Sequence, residues 1–330
     1  MSGLYDDQMI ESLRQGAESL VGEWGLPSET EVKLLTISEN ATFLAENPET
    51  GDRVILRVHR PGYHTHAEIE SELAWIADLR GKGVVDTPAP LPTLGGSYLA
   101  GFGMNGEHRP VAAFEFMTGS EPAPSEALVD GFRKLGAISA RLHAHARAWK
   151  RPDAFIRKTW NFETTVGPTP HWGDWRNALG LEKTDLGLLE RTCGELQKAL
   201  AAYGTGPERF GLIHADLRLA NLLIEGDRLG VIDFDDCGFG WFVYDFAAAV
   251  SFIEHDPILP DLQAAWAEGY RTVANLPEED EAMLPVFVML RRLLLTAWIA
   301  SHSETPTAQE MGPAYSFGTL EIAEQFLSAA

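Results

Sequence analysis

The chain opens on a helical stripe in which Ile10, Leu13, Ala17, Leu20 and Trp24 recur at the spacing that places them on one face. The period then falls to two. The stretch EVKLLTISENATFLAENPETGDRVILRVHRPG reads as three strands, and NPETGD supplies the turn residues between the second and third. AEIESELAWIADLRGKG returns to the helical period, with Ile69, Leu73, Ile76 and Leu79 on one stripe and glycine at the end. VDTPAPLPTLGG is a proline-rich connection, and RPVAAFEFM is a further strand. TGSEPAPSEA, residues 118–127, is rich in Pro, Ser and Gly and marks a boundary. Beyond it the pattern is mostly helical: a long helix LVDGFRKLGAISARLHAHARAW, a loop WNFETTVGPTPHWGDW, a helix DLGLLERTCGELQKALAAYG, and several helices toward the C-terminus.

These elements predict an α+β fold in two lobes, a small antiparallel-sheet lobe over residues 1–117 and a mostly helical lobe over 118–330. A length of 330 residues suits two such bodies better than one small core. Charge sharpens the picture of partners. With 26 basic against 48 acidic residues the formal net charge is −22, which repels nucleic acid and anionic lipid, favours solubility and would draw in a cationic substrate. Cys193 and Cys237 are far apart and form no CxxC, as in a reducing cytoplasm. MSGLYDDQMIESL lacks the basic and apolar regions of a signal peptide. VFVMLRRLLLTAWIA is interrupted by Arg291 and Arg292 and reads as a core helix rather than a membrane span. The expectation is a cytoplasmic protein with neither membrane nor nucleic-acid partner.

The densest chemistry lies in GLIHADLRLANLLIEGDRLGVIDFDDCGFG, residues 211–240. HADLRLAN has the spacing H-x-D-x-x-x-x-N after an apolar strand, and Asp233 ends a second apolar strand in LGVIDFDD. Phosphoryl transfer needs a carboxylate to orient the attacking hydroxyl and accept its proton. It also needs hard oxygen donors, a carboxylate and an amide, to hold Mg²⁺ against nucleotide phosphates. A strand, loop, strand layout would let Asp216, Asn221 and Asp233 converge at one sheet edge. Protein kinases use the same spacing, followed by D-F-G.

LIHADLRLANLLI and VIDFDD resemble the catalytic loop and metal-binding segment of the aminoglycoside phosphotransferase and choline kinase-like enzymes, which share the two-lobed protein-kinase-like fold. The resemblance covers nearly the whole chain. ISENATF with RVILRVHRPG, and the late RRLLLTAWIASH, are most similar to the bacterial stress-response kinase and homoserine-kinase-like branch. The resemblance implies Asp216 as catalytic base and Asn221 and Asp233 as magnesium ligands. His214 would fix the loop, and Asp245 in GWFVYDFAAAVSF would brace it. Ser38, Asn40 and Thr42 would lie in the loop over the phosphates of ATP, and Glu115 to Met117 would form the hinge against adenine. Two departures stand out. Arg57 occupies the position of the usual third-strand lysine, with Glu72 as its best-placed partner and Glu68 or Glu70 as alternatives; TISENATF holds no glycine.

The acceptor is expected to be a hydroxyl on a small molecule: an amino-alcohol, an amino acid or an aminoglycoside. A protein serine/threonine kinase and a nucleotide-binding pseudokinase are the alternatives. Asp235, two residues from Asp233, would share its face in an extended chain and, with Asp236, contact metal or a substrate ammonium; both could instead satisfy turn amides. Trp160, Trp172 and Trp175 form either an aromatic substrate wall or a packing cluster. The histidines of HTH (64–66) and HAH (143–145) read as structural, because residues two apart on a helix face different ways. Arg291 and Arg292 either neutralise the acidic site, bind an anionic group or lie solvated.

Overall fold

The computed structural model describes residues 6–37, 40–122, 128–303 and 305–329. They divide into two compact units, Met1–Gly119 with Arg151–Arg157, and Ser120–Lys150 with Lys158–Ala330. The return of residues 151–157 to the first unit has no signal in the local pattern. It is made by contacts distant in sequence: the amide of Ile156 donates to Ser71 Oγ (3.0 Å) and Arg157 Nη1 to the carbonyl of Glu68 (2.8 Å).

The first unit runs α1 (Asp7–Glu18), β1 (Glu31–Ile37), β2 (Ala41–Glu46), β3 (Arg53–Val58), α2 (His66–Gly81), β4 (Pro90–Leu91), β5 (Leu99–Met104) and β6 (Glu107–Glu115). Among the described residues the strands make one antiparallel sheet ordered β1-β2-β3-β6-β4, with β5 also on β6. Period two sorts the side chains. Ala41, Phe43 and Ala45 of β2 and Val54, Leu56 and Val58 of β3 join Leu13 and Ala17 of α1 in one core. The residues between them face the other side, where Thr42 stands directly across from Arg57. α2 begins on a capping box in which the Thr65 hydroxyl accepts from the Glu68 amide and the Glu68 carboxylate accepts from the Thr65 amide. The helix stripe from Ile10 stops early: α1 ends at Glu18, and Val21–Trp24 form a 3-10 turn closed by left-handed Gly25.

The second unit runs α3 (Leu128–Ala148), β7 (Thr159–Trp160), α4 (Phe162–Thr165), α5 (Lys183–Tyr203), β8 (Phe210–Ile213), β9 (Leu222–Glu225), β10 (Arg228–Val231), β11 (Gly238–Trp241), α6 (Tyr244–Ala249), α7 (Leu259–Arg271), α8 (Glu278–Glu281), α9 (Leu284–Ser301) and α10 (Pro306–Ala329), the last kinked at Gly312 before Pro313. The single sheet edge expected for the two apolar strands is not what forms. β8 pairs with β11 beside β7, whereas β10 pairs with β9 in a separate hairpin. Hydrogen bonds rather than a shared ladder join the two segments. Among the described residues, Glu278–Ser301 is long and apolar enough to cross a membrane, and 72% of its apolar window is buried within the protein.

Candidate active site

β8 delivers the chain into a turn that begins at His214. Ala215 takes a left-handed φ of 68°, a conformation that costs a residue with a Cβ about 1 kcal/mol or more. Its amide donates to Asp245 Oδ1 (2.8 Å), and the amide of His214 donates to Asp245 Oδ2 (3.3 Å). Asp245 is fully buried at the start of α6, and its Oδ2 also receives Nε2–H of His143 (3.0 Å), whose Nδ1 accepts from the Tyr270 hydroxyl (3.1 Å). The bracing role that the resemblance gave Asp245 therefore has a geometry, and the second half of its support is His143 of the HAH triplet.

His214 ties the turn to the next segment. Its Nε2–H donates to the carbonyl of Ile232 (3.1 Å), and its Nδ1 accepts from the amide of Asp216 (3.3 Å). The amide of Ile232 donates to the carbonyl of Asn221 (2.9 Å). Ile232 is thus held on both sides, one residue before Asp233, which is exposed with φ 61°. Burial drives the pKa of both His214 and His143 down despite the nearby carboxylates, so both rings are neutral at pH 7.

Asp216 is gripped on both oxygens. Oδ1 accepts from Arg291 Nη2 (2.5 Å); Oδ2 accepts from Asn221 Nδ2 (2.7 Å) and Arg218 Nε (3.2 Å). Burial opposes its charge, yet Arg218 and Arg291 outweigh that, and its carboxyl lies below the usual carboxylate range. Asn221 spends Nδ2 on the carbonyl and carboxylate of Asp216, which turns its Oδ1 the other way. An outward amide oxygen and the exposed carboxylate of Asp233 are hard oxygen donors, so these residues fit Mg²⁺.

Asp235 and Asp236 do not share a face with Asp233. The chain is not extended there: Asp233 is left-handed, and Asp235 and Asp236 lie in a turn, both buried. The three tryptophans are all buried, and two of them pack on each other. Trp160 and Trp172 meet edge to face at 5.2 Å, Trp160 Nε1 donates to the carbonyl of Asp236 (2.8 Å), and Trp175 Nε1 to that of Val166 (3.1 Å). The indole of Trp172 lies beneath the guanidinium of Arg291 at 5.0 Å. The solvated reading of the two arginines fails, since they are 1% and 2% exposed. Arg292 pairs with Glu254 (2.8 Å), which also accepts from the Tyr315 hydroxyl (2.8 Å).

In the first unit Arg57 Nη2 donates to both oxygens of Glu72 (2.7 and 2.8 Å), and its guanidinium lies 5.0 Å from the ring of Phe114. Of the three glutamates of α2, Glu72 is the partner; Glu68 serves the helix cap and Glu70 faces His66 (3.5 Å). Asn40 has a structural task, its Oδ1 accepting from the amide of Arg60 (3.1 Å). Ser38 lies outside the described residues. The amide of Glu115 is taken by the carbonyl of Ala89 (2.9 Å) and so is engaged within the sheet.

The sequence leaves neutralisation of the acidic site as one of three readings of Arg291 and gives no sign of Ser251. Arg291 is 75 positions from the carboxylate it holds, and no local spacing encodes that contact.

Comparison with known proteins bears on this geometry. Residues 32–281 match the phosphotransferase enzyme family. The solved structure of a microcompartment-associated aminopropanol kinase is similar with a TM-score of 0.88 and 45% identity, over 95% of this chain and 97% of that one. The amicoumacin kinase of Bacillus subtilis is 24% identical over 81% of this chain and 79% of its own. A homoserine kinase of Gluconobacter oxydans is 27% identical over 84% and 85%. With the braced Asp216 loop on an α+β kinase-like fold, the chain belongs to the phosphotransferase enzyme family and is a kinase that transfers phosphate to a hydroxyl of a small molecule.

Proposed function

We propose that this kinase phosphorylates the hydroxyl of a short amino-alcohol, with ATP as donor and Mg²⁺ as cofactor. The observation that carries the acceptor class is the 45% identity to the aminopropanol kinase over nearly the full length of both chains. Asp216 orients the acceptor hydroxyl. The acceptor oxygen forms the new bond to the γ-phosphorus as the bond to the leaving ADP oxygen breaks, and the proton passes to the Asp216 carboxylate. Asn221 and Asp233 would hold Mg²⁺, which would supply neutralising charge to the phosphates. Arg57, fixed by Glu72, carries the cation that would meet the nucleotide phosphates, with Thr42 on the same sheet face. Phe116 and Met117 are the hinge residues in this reading. The buried carboxylates of Asp235 and Asp236 are assigned to the acceptor ammonium. A cytoplasmic setting, where ATP and Mg²⁺ are available, fits the same reading.

The test is ADP release with Mg-ATP and a panel of acceptors: aminopropanol, other short amino-alcohols, homoserine, an aminoglycoside and a generic protein substrate. Turnover confined to short amino-alcohols is expected, and turnover on homoserine or protein alone would replace the acceptor class. In parallel, Mg-ATP at one hundred times its Kd should stabilise the wild type by ~2.7 kcal/mol. Asp233→Ala should lose the magnesium-dependent part of that shift.

A further inference from the structure

Arg291 sits near the middle of α9, buried among side chains that all belong to the second unit. Its guanidinium donates to four partners. Nε reaches Ser251 Oγ (3.1 Å), Nη1 reaches the carbonyl of Ala215 (3.2 Å) and the Tyr244 hydroxyl (3.2 Å), and Nη2 reaches Asp216 Oδ1 (2.5 Å). One face of the guanidinium lies over the ring of Trp172. Four N–H donors are thus taken up by the protein itself, which favours the neutralising role over anion binding. They do something more specific. The same planar fork holds the carbonyl of the strained Ala215 and the side chain of the next residue.

We infer that Arg291 is the positioning residue of Asp216, locking the left-handed Ala215 turn and the Asp216 carboxylate as one unit so that the acceptor hydroxyl meets a single carboxylate orientation. The inference deepens the proposed function and rests on it for the identity of the reacting group. Three features of the structure carry it. The Ala215 peptide is clamped at both ends, its amide by Asp245 and its carbonyl by Arg291. The carboxylate is divided, with Arg291 on Oδ1 and Asn221 and Arg218 on Oδ2, so rotation about either side-chain bond breaks a charge-assisted contact. Arg291 is itself fixed from three other elements, by Ser251 after α6, by Tyr244 within α6 and by Trp172 in the tryptophan loop. A lysine has one compact ammonium and cannot span the carbonyl and the carboxylate with a planar fork.

The test is a double-variant cycle on the full chain with Asp216→Asn and Arg291→Lys, reading kcat and nucleotide KM separately. Arg291→Lys alone should lower kcat by roughly 100-fold, the scale of a misplaced reacting group, and leave nucleotide KM within about twofold. In the Asp216→Asn background the same substitution should change the residual kcat by less than about twofold, because the group it positions is gone. A residue that only supports the fold would multiply the losses instead, and full additivity would overturn the inference. Folding is read independently, without substrate, from melting temperatures of Asp216→Asn, Arg291→Met and the pair. Each single variant leaves the opposite buried charge without this ion pair, a loss the pair of substitutions does not incur twice, so the pair should melt higher than the additive expectation. Additive melting shifts would overturn the inference even if no acceptor were found. Wild type inert toward every acceptor would overturn the functional reading alone.

Discussion

At the residue scale the site is held by Asp245, which reacts with nothing. Its two oxygens collect the amides of His214 and Ala215 and the imidazole N–H of His143 in a fully buried interior. Each donor abandoned there costs about 1–3 kcal/mol. Asp245→Ala, which abandons three, is expected to lose ~4 kcal/mol of stability. Urea denaturation with an unchanged m-value checks this, and a loss under about 1 kcal/mol would show that the brace is not structural. The residues of this site were legible in the sequence in proportion to how local their partners are. Asp216, Asn221 and Asp233 stand within one stretch whose spacing is the chemistry. His143 was readable only as a structural histidine, because its carboxylate lies 102 positions away. Arg291 left three readings open for the same reason. The Asp235 argument failed on geometry: period two holds only in an extended chain, and the left-handed Asp233 breaks it.

At the element scale, legibility followed period and length. The three strands around NPETGD and the helices of 12 residues or more announce themselves by alternation or stripe. β5 did not, because Gly101 and Gly103 remove the side chains that would have alternated. β7 is two residues long and β11 is half glycine, so the sheet they build with β8 exists only through tertiary pairing. Glycine also sets how closely α3 and α7 pack. A Cβ on Gly269 would fall 1.8 Å from the carbonyl oxygen of Arg133, and one on Gly136 would fall 2.0 Å from that of Trp266. Both contacts are with backbone, which cannot rotate away. Gly269→Ala is expected to destabilise by ~3 kcal/mol, since the helices must part along their length. Gly187 in α5 meets nothing within 4 Å, and there the same change should stabilise by up to ~1 kcal/mol through helix propensity. Calorimetric melting of the two variants checks the opposite signs; equal effects would mean that the α3–α7 contact is looser than these distances.

At the scale of the whole molecule, composition proved a good guide to class and a poor one to organisation. A formal charge of −22 and 45% hydrophobic residues describe a folded acidic protein. Neither foretells that residues 151–157 return to the first unit, nor that the two arginines of the apolar core helix are ion-paired inside. The same burial gives the molecule a dependence on pH. His143 and His214 are both held neutral, with pKa values pushed below the ordinary 6.5 chiefly by burial. The unfolded chain therefore binds protons at these two positions before the folded one does. Stability then rises with pH through that window: it is fully present above the unfolded value and is lost as pH falls below about 6.5 toward the depressed folded values. Two such groups give a limiting slope of ~2.7 kcal/mol per pH unit, twice the one-proton value. The loss begins well before Asp216 contributes. Its folded pKa is also depressed, so its share is present above the unfolded carboxylate range and disappears only under stronger acid. Denaturation midpoints between pH 5 and 8 test this, with His143→Phe expected to halve the slope. A stability curve flat from pH 8 to 5 would mean that these histidines titrate alike in the folded and unfolded chains, and that burial has not cost them their charge.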